Sequence, residues 1–397
     1  MKVIVIGVGT MGSAACAHLA RKGAEVLGLD QFVPPHEMGS HHGGARMIRQ
    51  SYFEHPDYVP LLLRAYALWR ELEQESGRRI LFETGGLYMG PPGAPIVEGA
   101  LRAAREHGLP HELLEAASIR QRFPAFQIPD SYAGFYEQRA GYLLPGEAIR
   151  AHQETARRHG AILTTEQQAL TWRTAGEGVE VTTAQGSHLA DRLVLTSGLW
   201  TGRLLKELRV FLRVTRQPLA WIELADSAPF HAERFPCWFL ETNRPWGHYG
   251  FPVREGESRL KFALHQPGQT VEPDAPMAER AGREEAEALS SFARTYFGEA
   301  GSGRLSTRLC RYTNSPDHHF IIGPHPAEPR VILAAGFSGH GFKFASVIGE
   351  ILAELAVEGK TRHSMTLFSP ARFAECGAGD DVRAPGQVPG SSLRRGI

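Results

Sequence analysis

The stretch Val3-Ile4-Val5-Ile6-Gly7-Val8-Gly9-Thr10-Met11-Gly12, with Glu25-Val26-Leu27-Gly28-Leu29-Asp30 behind it, decides how this chain folds. Val3 to Ile6 is a short β-branched run, as a strand buried on both faces requires. It leads straight into a G-x-G-x-x-G turn, and residues 11–21 then read as a helix closed by Lys22-Gly23. Residues 25–29 give a second strand that ends at Asp30. In such a βαβ unit the glycines allow a tight turn and let backbone N–H groups approach a pyrophosphate, which the helix N-terminus favours electrostatically. Asp30 stands where an acid accepts ribose hydroxyls. The glycine spacing alone is weak. With both strands, the helix and the acid around it, the reading is a dinucleotide site contacted by Gly7, Gly9, Thr10, Met11, Gly12 and Asp30. Lys2, the apolar run and Ala15-Cys16-Ala17 also mimic a secretory signal. That alternative leaves the second strand and Asp30 unexplained.

Outward from this unit, proline starts and glycine stops predict helices over 56–75, 95–108, 145–160, 276–297 and 341–358. Alternating or continuous apolar runs predict strands over 133–136, 193–198, 218–224, 238–241, 249–252, 259–265 and 331–335. The expected class is α/β. A Rossmann-type domain takes residues 1–84, 143–215 and 318–375. An α+β substrate domain of 85–142 and 216–317, built on a largely antiparallel sheet, interleaves with it. Such interleaving puts a ligand pocket between the two. Residues 376–397, rich in Gly, Pro and Ser without a period, read as a flexible tail.

The 397 residues carry 43 Lys+Arg and 43 Asp+Glu, a formal net charge of zero. This balance argues against nucleic-acid binding and against attachment to anionic membranes, and no apolar run is long enough to span a bilayer. Cys16, Cys237, Cys310 and Cys376 are far apart with no C-x-x-C pair, so a disulfide framework is not expected and a cytoplasmic setting fits. His41-His42 and His318-His319 lack partners at ligand spacing, so no metal is expected. Only six cations are lysine, and two of these, Lys261 and Lys343, lie among apolar neighbours. Either one alone reads equally well as a snorkelling side chain.

The first fingerprint serves nicotinamide and flavin cofactors alike. A second glycine-rich turn, Gly336-Phe337-Ser338-Gly339-His340-Gly341, sits between a buried strand and the last helix. Its backbone N–H groups suit the pyrimidine oxygens of a flavin, where charge gathers on reduction, and a nicotinamide has no such need. A plain strand-to-helix turn is the alternative.

Several stretches together resemble the monomeric sarcosine oxidase and N-methyltryptophan oxidase family, within the glycine/D-amino-acid oxidase group. They are the N-terminal fingerprint, Ser40 to Arg49, Tyr249-Gly250-Phe251-Pro252, Leu260 to His265, Cys310-Arg311-Tyr312-Thr313, Pro316 to Gly323, and Gly336 to Phe344. The resemblance covers residues 1–371. It implies an FAD-binding domain, with FAD held through a thioether to Cys310, whose thiolate Arg311 or other basic groups would favour. It implies that Lys261 stabilises charge on oxygen as oxygen takes electrons, and that Arg49 and Lys343 hold a substrate carboxylate. Tyr249, His265 and Tyr312 match side chains around the substrate amine. His42 and Arg46 match residues near the flavin ring, and Ser197, Gly198, Gly339, Gly341, Phe342 and Lys343 fall on its cofactor contacts. Two features depart from the pattern: the interval from Tyr249 to Lys261 is about one residue longer, and Ala45 stands where a larger polar residue is common.

The resemblance thus implies a monomeric, FAD-dependent oxidase of N-methyl or other secondary amino acids, with O2 reduced to hydrogen peroxide. An amine dehydrogenase that uses another acceptor, or a flavin-binding protein without turnover, are the alternatives.

Overall fold

Lys2–Ile6 (β1), Thr10–Arg21 (α1) and Glu25–Leu29 (β2) form the expected βαβ unit. The computed structural model describes residues 1–205, 212–243, 246–266 and 268–373, so the expected tail lies outside the described residues. Val3, Ile4 and Val5 are wholly buried because β1 runs inside a six-stranded sheet, between β2 and Arg192–Leu195. Burying each such side chain stabilises the fold by about 1.5–3 kcal/mol, and this anchors the turn that follows. Across the sheet the order is Ile321–His325, Glu328–Ala335, Arg192–Leu195, β1, β2, Ile162–Thr164. All pairs are parallel except the hairpin of the first two strands. On one face α1 packs between Pro145–Arg158 and Ala345–Glu358. Residues Met11 to Ala20 of α1 are all buried, which is why small residues fill it.

The second large sheet has eight strands, in the order Leu305–Asn314, Arg213–Glu223, Arg259–His265, Trp246–Gly250, Cys237–Asn243, Gly86–Gly90, Ala133–Glu137, Glu112–Glu115. It is mixed: Cys237–Asn243 runs parallel to Gly86–Gly90, and the other neighbours are antiparallel. Arg283–Phe297 packs Leu289, Phe292, Ala293 and Phe297 against it.

Some expected bounds need correction, among them the helix over 56–75, which opens with a 3-10 turn, Pro56–Tyr58, before regular helix starts at Val59. The helix expected over 276–297 begins only at Arg283, where the Glu285 carboxylate reaches back to the Gly282 N–H at 3.0 Å and caps it. The helix expected over 341–358 opens with a 3-10 turn, Phe342–Phe344, before regular helix starts at Ala345. A polar three-stranded meander, Ala169–Ala175, Gly178–Thr183 and Gly186–Ala190, was not expected at all. Among the described residues no helix is long and apolar enough to cross a membrane.

Candidate active site

A long cleft opens at the carboxyl ends of β1, β2, Arg192–Leu195 and Glu328–Ala335, where open α/β sheets place their ligands. Gly7, Gly9, Thr10, Met11, Asp30, Ser197 and Gly198 line it, and so do Arg46, Gly339, Gly341 and Phe342. Gly12 does not. It packs beneath the turn, where an added Cβ would sit 1.7 Å from the Gly7 carbonyl oxygen. The N-terminus of α1 has no side-chain cap and no acid in its first turn, so its N–H groups remain for an anion. Asp30 is already engaged: its two oxygens accept from the Val8 N–H at 2.7 Å and the Phe32 N–H at 2.9 Å. It therefore braces the glycine turn against β2, with lone pairs to spare for a ribose. In the second glycine turn, Gly339 has φ 79°, and a Cβ there would meet the Tyr312 ring at 2.4 Å.

A smaller pocket adjoins the cleft, and Arg46, Tyr312, Gly339 and Phe342 line both. Arg49, Lys343, Tyr249, His265 and Tyr312, five of the six expected catalytic residues, meet there, with Cys310 beside them. The two-residue period of Leu305–Asn314 sends Cys310 and Tyr312 to one face and Arg311 to the other. Phe53, Phe239, Leu219 and Met47 supply the apolar walls. Arg49 makes a forked ion pair with Glu54, 2.6 Å to each oxygen, and its Nε has no partner. Lys343 Nζ donates to the His340 carbonyl at 2.7 Å and to Tyr52 Oη at 3.4 Å. Tyr52 in turn meets His340 Nδ1 at 2.6 Å.

Lys261 stands apart. It lines a third cavity with His42, Gly43, Ala45, Trp221 and Phe251. Its Nζ donates to the Ala45 carbonyl at 2.9 Å and lies 4.6 Å from the Phe251 ring centroid. The segment 276–281, expected to be helical, runs along this cavity instead.

A family model described as FAD dependent oxidoreductase matches residues 2–355. The chain belongs to that family. This FAD-dependent oxidoreductase is 41% identical over 375 residues to "Monomeric sarcosine oxidase" of Streptomyces avermitilis, covering 94% of this chain and 97% of that one. It is 35% identical over 373 residues to "N-methyl-L-tryptophan oxidase" of Yersinia pestis, covering 94% and 99%. Among solved structures, NikD, "an unusual amino acid oxidase essential for nikkomycin biosynthesis", superposes with a TM-score of 0.79 at 25% identity, over 93% of this chain and 96% of that one. A glycine oxidase from Geobacillus kaustophilus shares the fold, with a TM-score of 0.77 at 19% identity over 93% and 98%.

FAD fits the residues present. The uncapped helix N-terminus and the two glycine turns leave room and donors along one cleft, and the cleft ends beside Cys310. Burial pushes the Cys310 thiol up, against the pull of Arg46, whose Nη2 is 3.9 Å from the sulfur. Among the basic groups expected to favour the thiolate, Arg46 acts more strongly than Arg311. In the pocket, burial lowers His265 to about 4, which leaves a neutral imidazole at pH 7. Burial and the Arg49 charge hold Lys343 well below the ordinary lysine range. Burial disfavours the Glu54 carboxylate too, but Arg49 outweighs it and brings Glu54 down to about 2.

The sequence reading missed Glu54, Phe53 and Phe239. Only Glu54 leaves a trace, as an acid five positions past Arg49 in the aromatic run Tyr52-Phe53-Glu54.

Proposed function

We propose that this FAD-dependent oxidoreductase oxidises the C–N bond of secondary amino acids, N-methyl amino acids above all, with O2 as acceptor. One observation carries the reading: Arg49 and Lys343 converge in a small pocket, walled by Tyr249, His265 and Tyr312, that opens off the dinucleotide cleft. The names of the relatives, sarcosine oxidase and N-methyl-L-tryptophan oxidase, point the same way.

FAD, held along the two glycine turns, would supply the two-electron chemistry that turns the amine into an imine, which water hydrolyses, and O2 into hydrogen peroxide. The chain itself binds and orients. In this reading the substrate carboxylate is taken by Arg49, whose Nε has no partner, and by Lys343. That carboxylate competes with Glu54 for Arg49. The cations also favour loss of the substrate ammonium proton, which frees the nitrogen lone pair. The rings of Phe239, Tyr249 and Tyr312 exclude water, and the neutral imidazole of His265 lines the same pocket. Lys261, from its separate cavity, supplies positive charge for oxygen as it is reduced.

In the same reading FAD is bound covalently through Cys310. Acid precipitation leaves yellow flavin in the pellet, and Cys310→Ser releases it to the supernatant; free flavin from the unaltered protein overturns the linkage alone. Residues 1–84, 143–215 and 318–375 act as the FAD-binding domain, and 85–142 with 216–317 as the substrate domain. The supply of the parallel sheet by the first set alone supports this division. We read the protein as a cytoplasmic monomer.

The test is a panel of N-methylglycine, N-methyltryptophan and pipecolate. The expected result is anaerobic bleaching of the flavin by at least one, and peroxide in air. Bleaching by none removes the reading; bleaching without peroxide makes the protein a dehydrogenase.

A further inference from the structure

Lys261 is a buried cation with an unusual set of neighbours. Its ammonium makes one hydrogen bond, to the Ala45 carbonyl. Among the described residues no carboxylate pairs with it. Two arginines work against its charge, Arg46 from the strand Arg46–Ile48 and Arg254 from the loop after Trp246–Gly250, and Arg254 is itself paired with Glu257. Glu37, Glu257, Asp274 and Glu279 line the same cavity, and none of them forms an ion pair with Lys261. His42 faces it too, but burial holds this imidazole neutral, down to about 4. The Cys310 and Cys237 thiols are buried, which disfavours their thiolates. Burial together with the two arginines lowers the Lys261 pKa well below the ordinary range.

Two aromatic rings remain. Nζ is 4.6 Å from the centroid of Phe251 and 6.0 Å from that of Trp221. The negative faces of such rings attract an ammonium, most strongly where water is excluded. Phe251 is itself held edge-on to Tyr249, at 5.9 Å and 85°. We propose that Phe251, with Trp221, is a positioning residue for Lys261: the ring faces and the Ala45 carbonyl hold an ammonium that has no counter-ion.

The inference rests on the reading of Lys261 as the cation that serves oxygen. A carboxylate beside Lys261 would also keep it protonated, but it would cancel the field an incoming electron pair on oxygen must feel. An aromatic face sustains the cation and leaves its charge uncompensated. The ammonium is lost as pH rises through its lowered pKa. Removing a ring face lowers that pKa further, so the charge disappears at a lower pH.

The test has two readouts. The first is competitive acetylation of all lysines across a pH series, read by peptide mass spectrometry. With only six lysines, exposed Lys360 serves as the internal reference. The reaction needs the neutral amine, so in Phe251→Leu the Lys261 profile shifts to lower pH, by roughly one unit. Trp221→Leu gives a smaller shift, and Phe251→Tyr restores the original profile. The second readout is stopped-flow reoxidation of the reduced holoenzyme. In Phe251→Leu its alkaline limb moves down by the same interval, while anaerobic reduction by substrate continues. Trp221→Leu, at a half-buried ring, keeps the test open should Phe251→Leu fail to fold. If both leucine variants keep the unaltered profiles while Lys261→Met slows reoxidation, the rings do not position the charge and the proposal is overturned. If Lys261→Met itself leaves reoxidation unchanged, it is the oxygen role of Lys261 that fails.

Discussion

The two buried lysines stand in opposite electrostatic settings. Lys343 and Lys261 each donate to a main-chain carbonyl, at 2.7 Å and 2.9 Å, and burial depresses both. The pocket of Lys343 holds its own carboxylate, Glu54, clasped by Arg49. Rings face both ammoniums, and carboxylates line the cavity of Lys261 too, but among the described residues none of them pairs with Lys261. The difference follows from when the negative charge arrives. A substrate carboxylate enters already ionised, so its site is kept near neutral by an internal anion that the ligand replaces, which limits the cost of holding buried charge. Charge on oxygen arises only during the reaction. Its site is therefore left positive in advance.

The comparison breaks most visibly at Lys261. Lys261→Met removes about 3–4 kcal/mol of charge stabilisation, so reoxidation slows by roughly 10²–10³ in stopped flow. Anaerobic reduction persists. Arg49→Ala comes next: losing a charged hydrogen bond worth about 1.5–3 kcal/mol weakens a carboxylate substrate by roughly tenfold to a hundredfold. The matching amide suffers little, and equal losses for acid and amide would assign Arg49 to the fold. A third measurement follows affinity against pH. Because the Lys343 pKa is lowered, carboxylate binding falls as pH rises through it, by up to about tenfold per unit if the charge is essential. Lys343→Met removes that limb. Glu54→Gln has the smallest effect and the opposite sign. It takes the competing charge from Arg49 and tightens carboxylate binding by roughly fivefold, equivalent to about 1 kcal/mol. Weaker binding in Glu54→Gln would mean that Glu54 holds Arg49 in place and does not compete.

The cleft was legible in the sequence and the pocket only in part, for a physical reason. The first glycine turn is local: strand, turn, helix and acid lie within residues 2–30, and each constrains the next. Even there Asp30 carries an unforeseen duty, since its bond to the Val8 N–H depends on how β2 ends. The pocket is assembled by distant strand registers. Tyr249 stands opposite Ala263 and Phe239, and no local pattern announces that pairing. Glu54 stayed hidden because a lone acid near an arginine is common on surfaces, and only the aromatic residues around it mark burial. Phe251 lies in the stretch Tyr249-Gly250-Phe251-Pro252, yet its bearing on Lys261 needs the fold. The late start of Arg283–Phe297 has a similar origin: the segment 276–281 runs along the Lys261 cavity, and the cap at Gly282 sets where the helix begins.

The central position of β1 carries a consequence for synthesis in time. One edge of β1 is matched early by β2, but the other waits for Arg192 to Leu195. At translation rates of about 5–20 residues per second, that wait is roughly 10–40 s. The strand Gly86–Gly90 likewise waits for Cys237–Asn243, and the second glycine turn emerges after residue 335. A nascent chain therefore exposes an apolar edge that invites mispairing or a chaperone. A ribosome-stalled product ending before Gly336 has no complete cleft, so cofactor capture marks the passage from nascent to finished chain.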